Sequence, residues 1–252
     1  MEYLYHYTSI ENLALILKSR NIRFKALNTV DDLKEGIAAD VDEYGQFVFV
    51  SCWTDDHKES IPIWNMYAKD MSGIRLALPK FPFHHFSFYD TSEEIISDSP
   101  FIGSTIFKGT HFDNGYVFPQ DEHYLLKVKY TDDEELLKPK LVESLGENHR
   151  KIWAPRVGMY KNTCWCFQSE VRYRIIVHPI SGFKPTNKDK FHNQYKINSD
   201  HIDIPIRDNA FKEMKILLGP KQSEAHRLLT EALVEKYSPE IKIEASKLNI
   251  RH

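Results

Sequence analysis

The sequence of 252 residues has little of what identifies many protein classes. It holds 3 cysteines, too few and too oddly placed for a disulfide framework. Its 10 glycines form neither GxGxxG nor GxxxxGK[ST], and no G-x-S-x-G elbow is present, which argues against Rossmann, P-loop and serine-hydrolase enzymes. Because 33 basic residues nearly balance 36 acidic ones, any contact with nucleic acid would have to be a local patch.

Long apolar runs are also absent. No segment reaches transmembrane length, and the acidic start Met1-Glu2-Tyr3 is followed by no signal-peptide core. We therefore expect a cytoplasmic protein without a membrane partner. No linker, repeat or shift in composition divides the chain, so a single domain over residues 1–252 is expected.

The sequence predicts no metal site. Cys164-x-Cys166 and His84-His85 are not accompanied by a second Cys/His pair at zinc spacing. Residues two apart on a strand share a face, so the two cysteines are expected to be small buried side chains. The paired histidines are interpreted as structural.

Hydrophobic periodicity predicts an α+β chain in which antiparallel pairing dominates. Helices are expected at about 9–19, within 132–162 with a break at Pro155, and at about 221–237. Strands are expected at 22–26, 46–53, 73–78, 124–130, 171–177, 201–206, 214–218 and 241–245.

The opening stretch places a histidine at the end of an aromatic strand, directly before a helix. Thr8-x-x-Glu11 fits a capping box, so His6 is predicted to lie at a rigid strand–helix junction. One interpretation is a structural histidine beside a helix cap. The other is a donor aimed at a ligand.

Further candidates follow predicted strands. Asn28 is either a turn residue or part of a cleft beside His6. Ser51 lies near the end of a strand that is apolar on both faces. Trp64 and Tyr67, three apart on one helix, are either core residues or a stacking clamp.

The second informative stretch is Gln168-Ser169-Glu170, directly before a strong strand. If the strand has begun, Gln168 and Glu170 point the same way and Arg172 continues the alternation. The structural interpretation is a solvated face with a Glu/Arg pair worth roughly a few tenths of a kcal/mol.

Taken in order, these motifs resemble the His–Ser/Tyr–Glu arrangement of the ADP-ribosyltransferase fold, which tRNA 2′-phosphotransferases and DNA-targeting toxins share. His6-Tyr7-Thr8-Ser9 matches the first strand of that family, Ser51 the second, and Gln168-Ser169-Glu170 the Gln/Glu-x-Glu of the third. The resemblance implies a split, mainly antiparallel sheet with peripheral helices.

The whole chain also resembles a widespread bacterial family of uncharacterised proteins. Shared features are the His-Tyr-Thr opening, Ser-Cys before a Trp-x-x-Tyr helix, Trp…Glu-x-Arg and a late Leu-Gly strand end. The chain departs at Asn28-Thr29-Val30-Asp31-Asp32, where that family has an Asn-Asp-x-x-Glu turn. It departs again at Gln168, where a glutamate is usual.

The transferase resemblance implies NAD as a substrate and no metal. Glu170 would stabilise the positive charge that builds on the ribose as nicotinamide leaves. The implied catalytic residues are Glu170, His6 and Ser51, and the implied NAD-binding residues are His6, Tyr7, Thr8, Asn28, Ser51, Trp64 and Tyr67. Gln168 and Arg172 would face the acceptor, with Gln168 favouring a nucleobase or an amide over arginine.

The expected function is an NAD-dependent ADP-ribosyltransferase with a protein or nucleic-acid acceptor. Family analogy adds the role of a toxin or phage-defence effector, with an immunity protein as candidate partner. Three alternatives stay open. These are an NAD glycohydrolase, an RNA 2′-phosphotransferase served by Arg23, Lys25, Arg172 and Arg174, and a non-catalytic nucleotide- or protein-binding module. The transferase hypothesis requires His6, Ser51 and Glu170 to converge on one cleft.

Overall fold

A large mixed β-sheet organises the computed structural model, which describes residues 2–87, 97–117, 124–144, 150–179, 184–185, 191–192 and 196–250. The α-helices in these ranges are α1 (Ile10–Ser19), α2 (Ile61–Tyr67), α3 (Glu134–Leu137), α4 (Asp208–Lys212) and α5 (Glu224–Tyr237). Short 3₁₀ helices span Leu27–Thr29, Tyr44–Phe47, Ala154–Arg156 and Thr163–Gln168.

The strands of the described ranges, in chain order, are β1 (Tyr3–Thr8), β2 (Asn21–Ala26), β3 (Val48–Thr54), β4 (Ile74–Pro79), β5 (Phe86–Ser87), β6 (Ser104–Thr105), β7 (His111–Phe112), β8 (Gly115–Val117), β9 (Leu125–Lys127), β10 (Lys129–Tyr130), β11 (Val142–Ser144), β12 (Arg150–Ile152), β13 (Tyr160–Lys161), β14 (Glu170–Pro179), β15 (Lys184–Pro185), β16 (Phe191–His192), β17 (His201–Pro205), β18 (Lys215–Leu218) and β19 (Lys242–Ala245).

The main sheet has eleven strands, and its principal order is β19-β18-β4-β1-β3-β14-β8-β7. Strand β2 pairs with β3 and β17, and β9 pairs with β14. Of these pairings, only β18 with β19 is parallel. The α+β class with a mainly antiparallel sheet is therefore confirmed.

Strands β3 and β14 form the longest central pairing, from Glu170 opposite Thr54 to Ile176 opposite Val48. On its other side β3 meets β1 in register only at Tyr5 opposite Thr54, whereas β1 pairs with β4 along its whole length. Strands β1 and β3 are therefore adjacent but barely paired.

The two faces of the sheet carry different chemistry. Successive residues of a strand point to opposite faces, and antiparallel partners share a face. Leu4 and Tyr173 lie on the face that packs against Leu13 of α1 in the largest hydrophobic core. We call it the α1 face. The opposite face carries Glu170 and Arg172, and we call it the Glu170 face.

The helix predicted within 132–162 is wrong. Helix α3 ends at Leu137, and the described residues that follow form β11, β12, a 3₁₀ turn and β13. Pro139 disfavours the α conformation of Lys138 before it, which ends α3 after one turn. The prediction for residues 145–149 lies outside the described residues.

Three local predictions are also corrected. The cap of α1 is Ser9, whose hydroxyl accepts from the backbone N–H of Asn12 at 3.2 Å, not Thr8. Gln168 belongs to the 3₁₀ helix Thr163–Gln168, not to the strand. Cys164 and Cys166 lie in that helix too and are exposed, because three-residue turns do not give them a common buried face.

Candidate functional site

Four charged side chains meet on the Glu170 face, and we call them the charge cluster: Glu35, Lys161, Glu170 and Arg172. Their residues are 7%, 5%, 3% and 0% exposed. Nη2 of Arg172 lies 2.6 Å from Oε1 of Glu170 and 2.9 Å from Oε1 of Glu35. Nζ of Lys161 lies 3.2 Å from Oε2 of Glu170 and 3.5 Å from Oε2 of Glu35. Two carboxylates are thus bridged by two cations.

Strand β14 and the turn before it aim Glu170 into the cluster. Ser169 adopts a left-handed conformation (φ 43°), which ends the 3₁₀ helix and starts the strand. The backbone N–H of Glu170 donates to the hydroxyl of Tyr130 at 2.8 Å. Glu170 and Arg172, two residues apart on β14, then share one face.

Glu35 is brought in by a tight turn after β2. Its N–H donates to the carbonyl of Asp32 at 3.0 Å. Gly36 follows at φ 79°, and a Cβ there would lie 2.9 Å from Cα of Gly45. Only glycine fits this close approach, which holds Glu35 against Arg172.

A polar layer surrounds the cluster. The Gln168 side-chain oxygen accepts from Nζ of Lys161 at 2.9 Å, and its amide nitrogen donates to the Tyr67 hydroxyl at 2.6 Å. The Cys52 thiol contributes to lowering the pKa of Glu170. Tyr67 and Cys52 are partly exposed, so they form the boundary between the cluster and solvent.

The two carboxylates have opposite pKa shifts. Burial raises the pKa of Glu170, but Arg172 and Lys161 outweigh it, so the net pKa is lowered. At Glu35 burial is the larger effect, and the pKa is raised despite the same two cations. Glu170 has the shorter contact to Arg172, and the Cys52 thiol also lowers the pKa of Glu170, so we assign the firmly ionised state to Glu170.

Several of the predicted site residues do come together. Gln168 and Glu170 both contact Lys161, although only Glu170 is on the strand. Tyr67 joins them through Gln168. Arg172 was expected to face an acceptor, but it is completely buried, with its guanidinium committed to Glu170, Glu35 and the Gly158 carbonyl.

The predicted convergence of His6, Ser51 and Glu170 is not found. Ser51 is the cross-strand partner of Tyr173, so it lies on the α1 face, where its hydroxyl accepts from the Trp53 indole at 2.9 Å. Ser51 does lie on the strand that pairs with β14. The two-residue period of the strand puts its side chain on the wrong face.

His6 also lies on the α1 face. Its ring packs 5.1 Å from the ring of Trp53, and Nδ1 donates to the Cys52 carbonyl at 2.8 Å. Burial lowers the pKa of His6. The structural interpretation of this histidine is thereby favoured, since it ties β1 to β3 where the two strands diverge.

The remaining predicted NAD-binding residues are scattered. Trp64 is fully buried, packs edge-on against Tyr7 at 4.8 Å and donates to Glu59, so it belongs to the core. Tyr7 lies on the Glu170 face and its hydroxyl accepts from the Ser60 N–H. Thr8 is on the α1 face and accepts from the Asn12 amide at 2.9 Å.

Asn28 lies away from His6, at a cavity of about 520 Å³. Glu35, Gly36, Gly45 and Gln46 line the same cavity. Because Glu35 belongs both to this lining and to the charge cluster, the cavity and the cluster are neighbours.

Sequence reasoning missed Glu35 and Lys161. For Glu35 a signal existed. Asp32-x-x-Glu35 matches the Asp-x-x-Glu part of the Asn-Asp-x-x-Glu turn found in the bacterial family that the sequence resembles, although it lies a few residues after Asn28. For Lys161 the sequence holds no such signal, because a single lysine in a polar stretch is usually exposed and no local pattern indicates its burial.

Comparison with protein-family models, curated proteins and solved structures finds no match to this chain. Within the described ranges, no group of three or more His, Cys, Asp or Glu side chains is placed to hold a metal ion. Among the same residues, no helix is both long and apolar enough to cross a membrane.

Proposed function

We propose that the charge cluster is the reaction centre of an NAD-dependent ADP-ribosyltransferase with an ADP-ribosyltransferase-like fold, in which Glu170 is the catalytic carboxylate. One observation carries the proposal: two glutamates, a lysine and an arginine are buried together on the Glu170 face of the main sheet. The sequence resemblance singles out Glu170 independently and supports this part of the proposal alone. The convergence of His6 and Ser51 with Glu170, which the resemblance also requires, is not met, so the proposal rests on the charge cluster and not on those two residues.

The energetics of burial favour a functional role. Taking a charged group out of water costs several kcal/mol, and apolar residues of similar volume often stabilise a fold as well as a buried ion pair does. A cluster of four such groups is therefore weak evidence for stability alone. Buried carboxylates with displaced pKa values are instead typical of functional sites.

In the proposed chemistry Glu170 acts as a fixed negative charge. As the bond between nicotinamide and ribose breaks, positive charge builds on the ribose, and an ionised carboxylate beside it stabilises that charge. Lys161 and Arg172 keep Glu170 ionised. NAD would approach from the side of Tyr67, where the Gln168–Tyr67 hydrogen bond would have to break for the ribose to reach Glu170.

The geometry also revises the expected roles. His6 and Ser51 face the other side of the sheet, so neither takes part in the proposed chemistry. His6 is instead a positioning residue for β3 through the Cys52 carbonyl. Thr8 and Trp64 are also removed from the proposed NAD site, because the Thr8 hydroxyl is bonded to the Asn12 amide and the Trp64 indole to Glu59.

A non-catalytic nucleotide- or protein-binding module is the second candidate. It is favoured by a specific observation: both carboxylate oxygens of Glu170 are already paired, with Arg172 and with Lys161. In that case the cluster would serve to fix the geometry of a binding face.

The decisive experiment compares Glu170→Gln with Glu35→Gln, which each remove one carboxylate from the same cluster, and with Glu135→Gln at an exposed position. Nicotinamide release from NAD, NAD affinity and thermal stability are measured for each. The transferase proposal expects Glu170→Gln to lose release at least about 100-fold while NAD still binds.

The binding module predicts a different pattern, with no nicotinamide release by the wild-type protein and parallel losses of stability in both cluster variants. Free ADP-ribose formed without an acceptor would indicate an NAD glycohydrolase. If wild-type protein neither binds NAD nor releases nicotinamide, the transferase proposal fails.

A further inference from the structure

A second group of side chains occupies the Glu170 face beyond the charge cluster, on β1, β4 and β18. Tyr5, Ala77 and Lys215 are aligned across these three strands, and Tyr7 and Arg75 form the neighbouring cross-strand pair. Tyr5 is also the partner of Thr54, which is the partner of Glu170. These side chains therefore share one face with the cluster.

Arg75 is a cation without an anionic partner. Its guanidinium lies 4.7 Å from the ring of Tyr5 and 5.7 Å from the ring of Tyr7. Nη1 donates to the carbonyl of His57 at 3.1 Å and to the hydroxyl of Tyr7 at 3.4 Å, both of which are neutral acceptors. Nε is buried and has no hydrogen-bond partner, and no carboxylate of the described chain forms an ion pair with this arginine.

Lys215 adds a second unpaired cation. Its Nζ lies 4.1 Å over the ring of Tyr3, and it forms no ion pair with a described carboxylate. The acid that faces this region from β19 is Glu244, which aligns with Leu217 next to Arg75. Glu244 is therefore two strands from Arg75, roughly 10 Å, which is beyond an ion pair.

Such an arrangement is incomplete without an anion. A buried N–H with no partner is unfavourable, and the planar fork of an arginine matches the oxygens of a phosphate. Tyr3 and Tyr5 are partly exposed, so the side of each ring that is not covered by a cation can pack against a planar base, whereas Tyr7 is buried against Trp64. The two unpaired cations and the neighbouring tyrosine rings therefore suit a ligand in which a phosphate is joined to an aromatic group.

We propose that Arg75 and Lys215, flanked by Tyr3, Tyr5 and Tyr7, form a subsite for the phosphate of a nucleotide. In the sheet order β4-β1-β3-β14, Arg75 is three strands from Glu170 and two residues further along the strand direction, which together give roughly 16 Å at the usual strand spacing and rise. An extended dinucleotide spans such a distance. The subsite deepens the proposed transferase function, but the binding itself does not depend on Glu170.

The phosphate can come from a free nucleotide or from a nucleic-acid backbone, and calorimetric titration distinguishes the two. The probes are inorganic pyrophosphate, ADP-ribose and a short single-stranded oligonucleotide, at low salt. The variants are Arg75→Gln and Lys215→Gln. The control is Lys18→Gln, an exposed lysine on α1 at the opposite face of the sheet.

We expect wild-type protein to bind at least one probe and Arg75→Gln to bind it about tenfold or more weakly, the effect of losing a charge-assisted hydrogen bond. Lys215→Gln should weaken binding less, and Lys18→Gln should leave it unchanged. Lys215 is exposed, so its variant preserves the test if Arg75→Gln disturbs the sheet.

Selective loss of ADP-ribose binding identifies a free nucleotide as the ligand. Selective loss of oligonucleotide binding, with a steep salt dependence, identifies a nucleic-acid backbone. The inference is overturned if no probe binds wild-type protein, or if both variants bind as wild type does. Binding that depends on Arg75 in a protein without nicotinamide release would sustain this subsite while the transferase proposal fails.

Discussion

Lys161 joins the two carboxylates of the charge cluster to the surrounding polar layer, since its ammonium group contacts Glu35, Gln168 and Glu170. Removing it would leave two buried carboxylates with one arginine between them. The pKa of Glu170 is lowered by Arg172 and Lys161 together, so the loss of Lys161 is also a loss of ionised Glu170. At the residue scale, therefore, stability and the proposed chemistry depend on the same contact.

Lys161→Met keeps a flexible side chain of similar length and removes the charge. We expect a loss of about 3–5 kcal/mol in the free energy of unfolding, because a buried charge is left without its partner. Urea denaturation measures it. Lys127→Met is the control, because Lys127 pairs with Asp55 at the surface and should cost less than about 1 kcal/mol. Equal losses in the two variants would contradict the assigned role of Lys161.

At the scale of elements, the sequence predicted most of the strands and helices but not the faces of the strands. Strong periodicity located α1, α5, β3 and β18 to within a few residues. Which face Ser51 occupies depends on the pairing of β3 with β14, two segments far apart in the sequence. Periodicity within one segment cannot supply that register.

The candidate site was predictable only in part, for a related reason. Gln168 and Glu170 do lie close together, but they meet at Lys161 by way of a 3₁₀ helix and the left-handed Ser169, not as neighbours on a strand. Glu35 joins through Arg172, 137 residues away. Such long-range contacts have no local signature.

The cap of α1 provides a test at this scale. Ser9→Ala removes the hydroxyl that accepts from the Asn12 N–H and should cost about 1 kcal/mol, or roughly 2–4 °C in Tm. Thr8→Val keeps the side-chain volume and removes only the contact with the Asn12 amide, so its loss should be smaller. Thermal denaturation of the two variants decides between them, and a larger loss for Thr8→Val would restore the capping box that the sequence suggested.

At the scale of the whole molecule, stability should depend on acidity through buried histidines. His85 is almost completely buried, and neither ring nitrogen has a hydrogen-bond partner. Burial lowers the pKa of His85 from 6.5 to about 4; Asp98 opposes the shift, and His84 and Arg207 reinforce it. Because the unfolded chain binds a proton at this histidine more readily than the folded protein does, protonation favours unfolding. The contribution of neutral His85 to the free energy of unfolding is therefore complete above pH 6.5 and is lost as the pH falls to about 4.

His85→Phe should therefore flatten the pH dependence. A phenyl ring keeps the packing against Tyr124 and cannot be protonated. Between pH 7 and pH 4.5 the wild-type protein should lose up to about 3 kcal/mol more than the variant in the free energy of unfolding. Denaturant titrations at the two pH values measure this difference. His57→Gln, at an exposed histidine, should behave as wild type does, and an unchanged slope in His85→Phe would assign the pH dependence to other groups.

The central position of β3 has a consequence for synthesis on the ribosome. Its long antiparallel partner, β14, is encoded much later: Thr54 and Ser169, which meet through a hydrogen bond, are 115 residues apart. At typical rates of translation, the interval between them is on the order of 10 s. During that time a strand rich in valine and phenylalanine lacks the neighbour that will cover its edge. The nascent chain must therefore avoid incorrect strand pairing until the second half of its own sheet has been made.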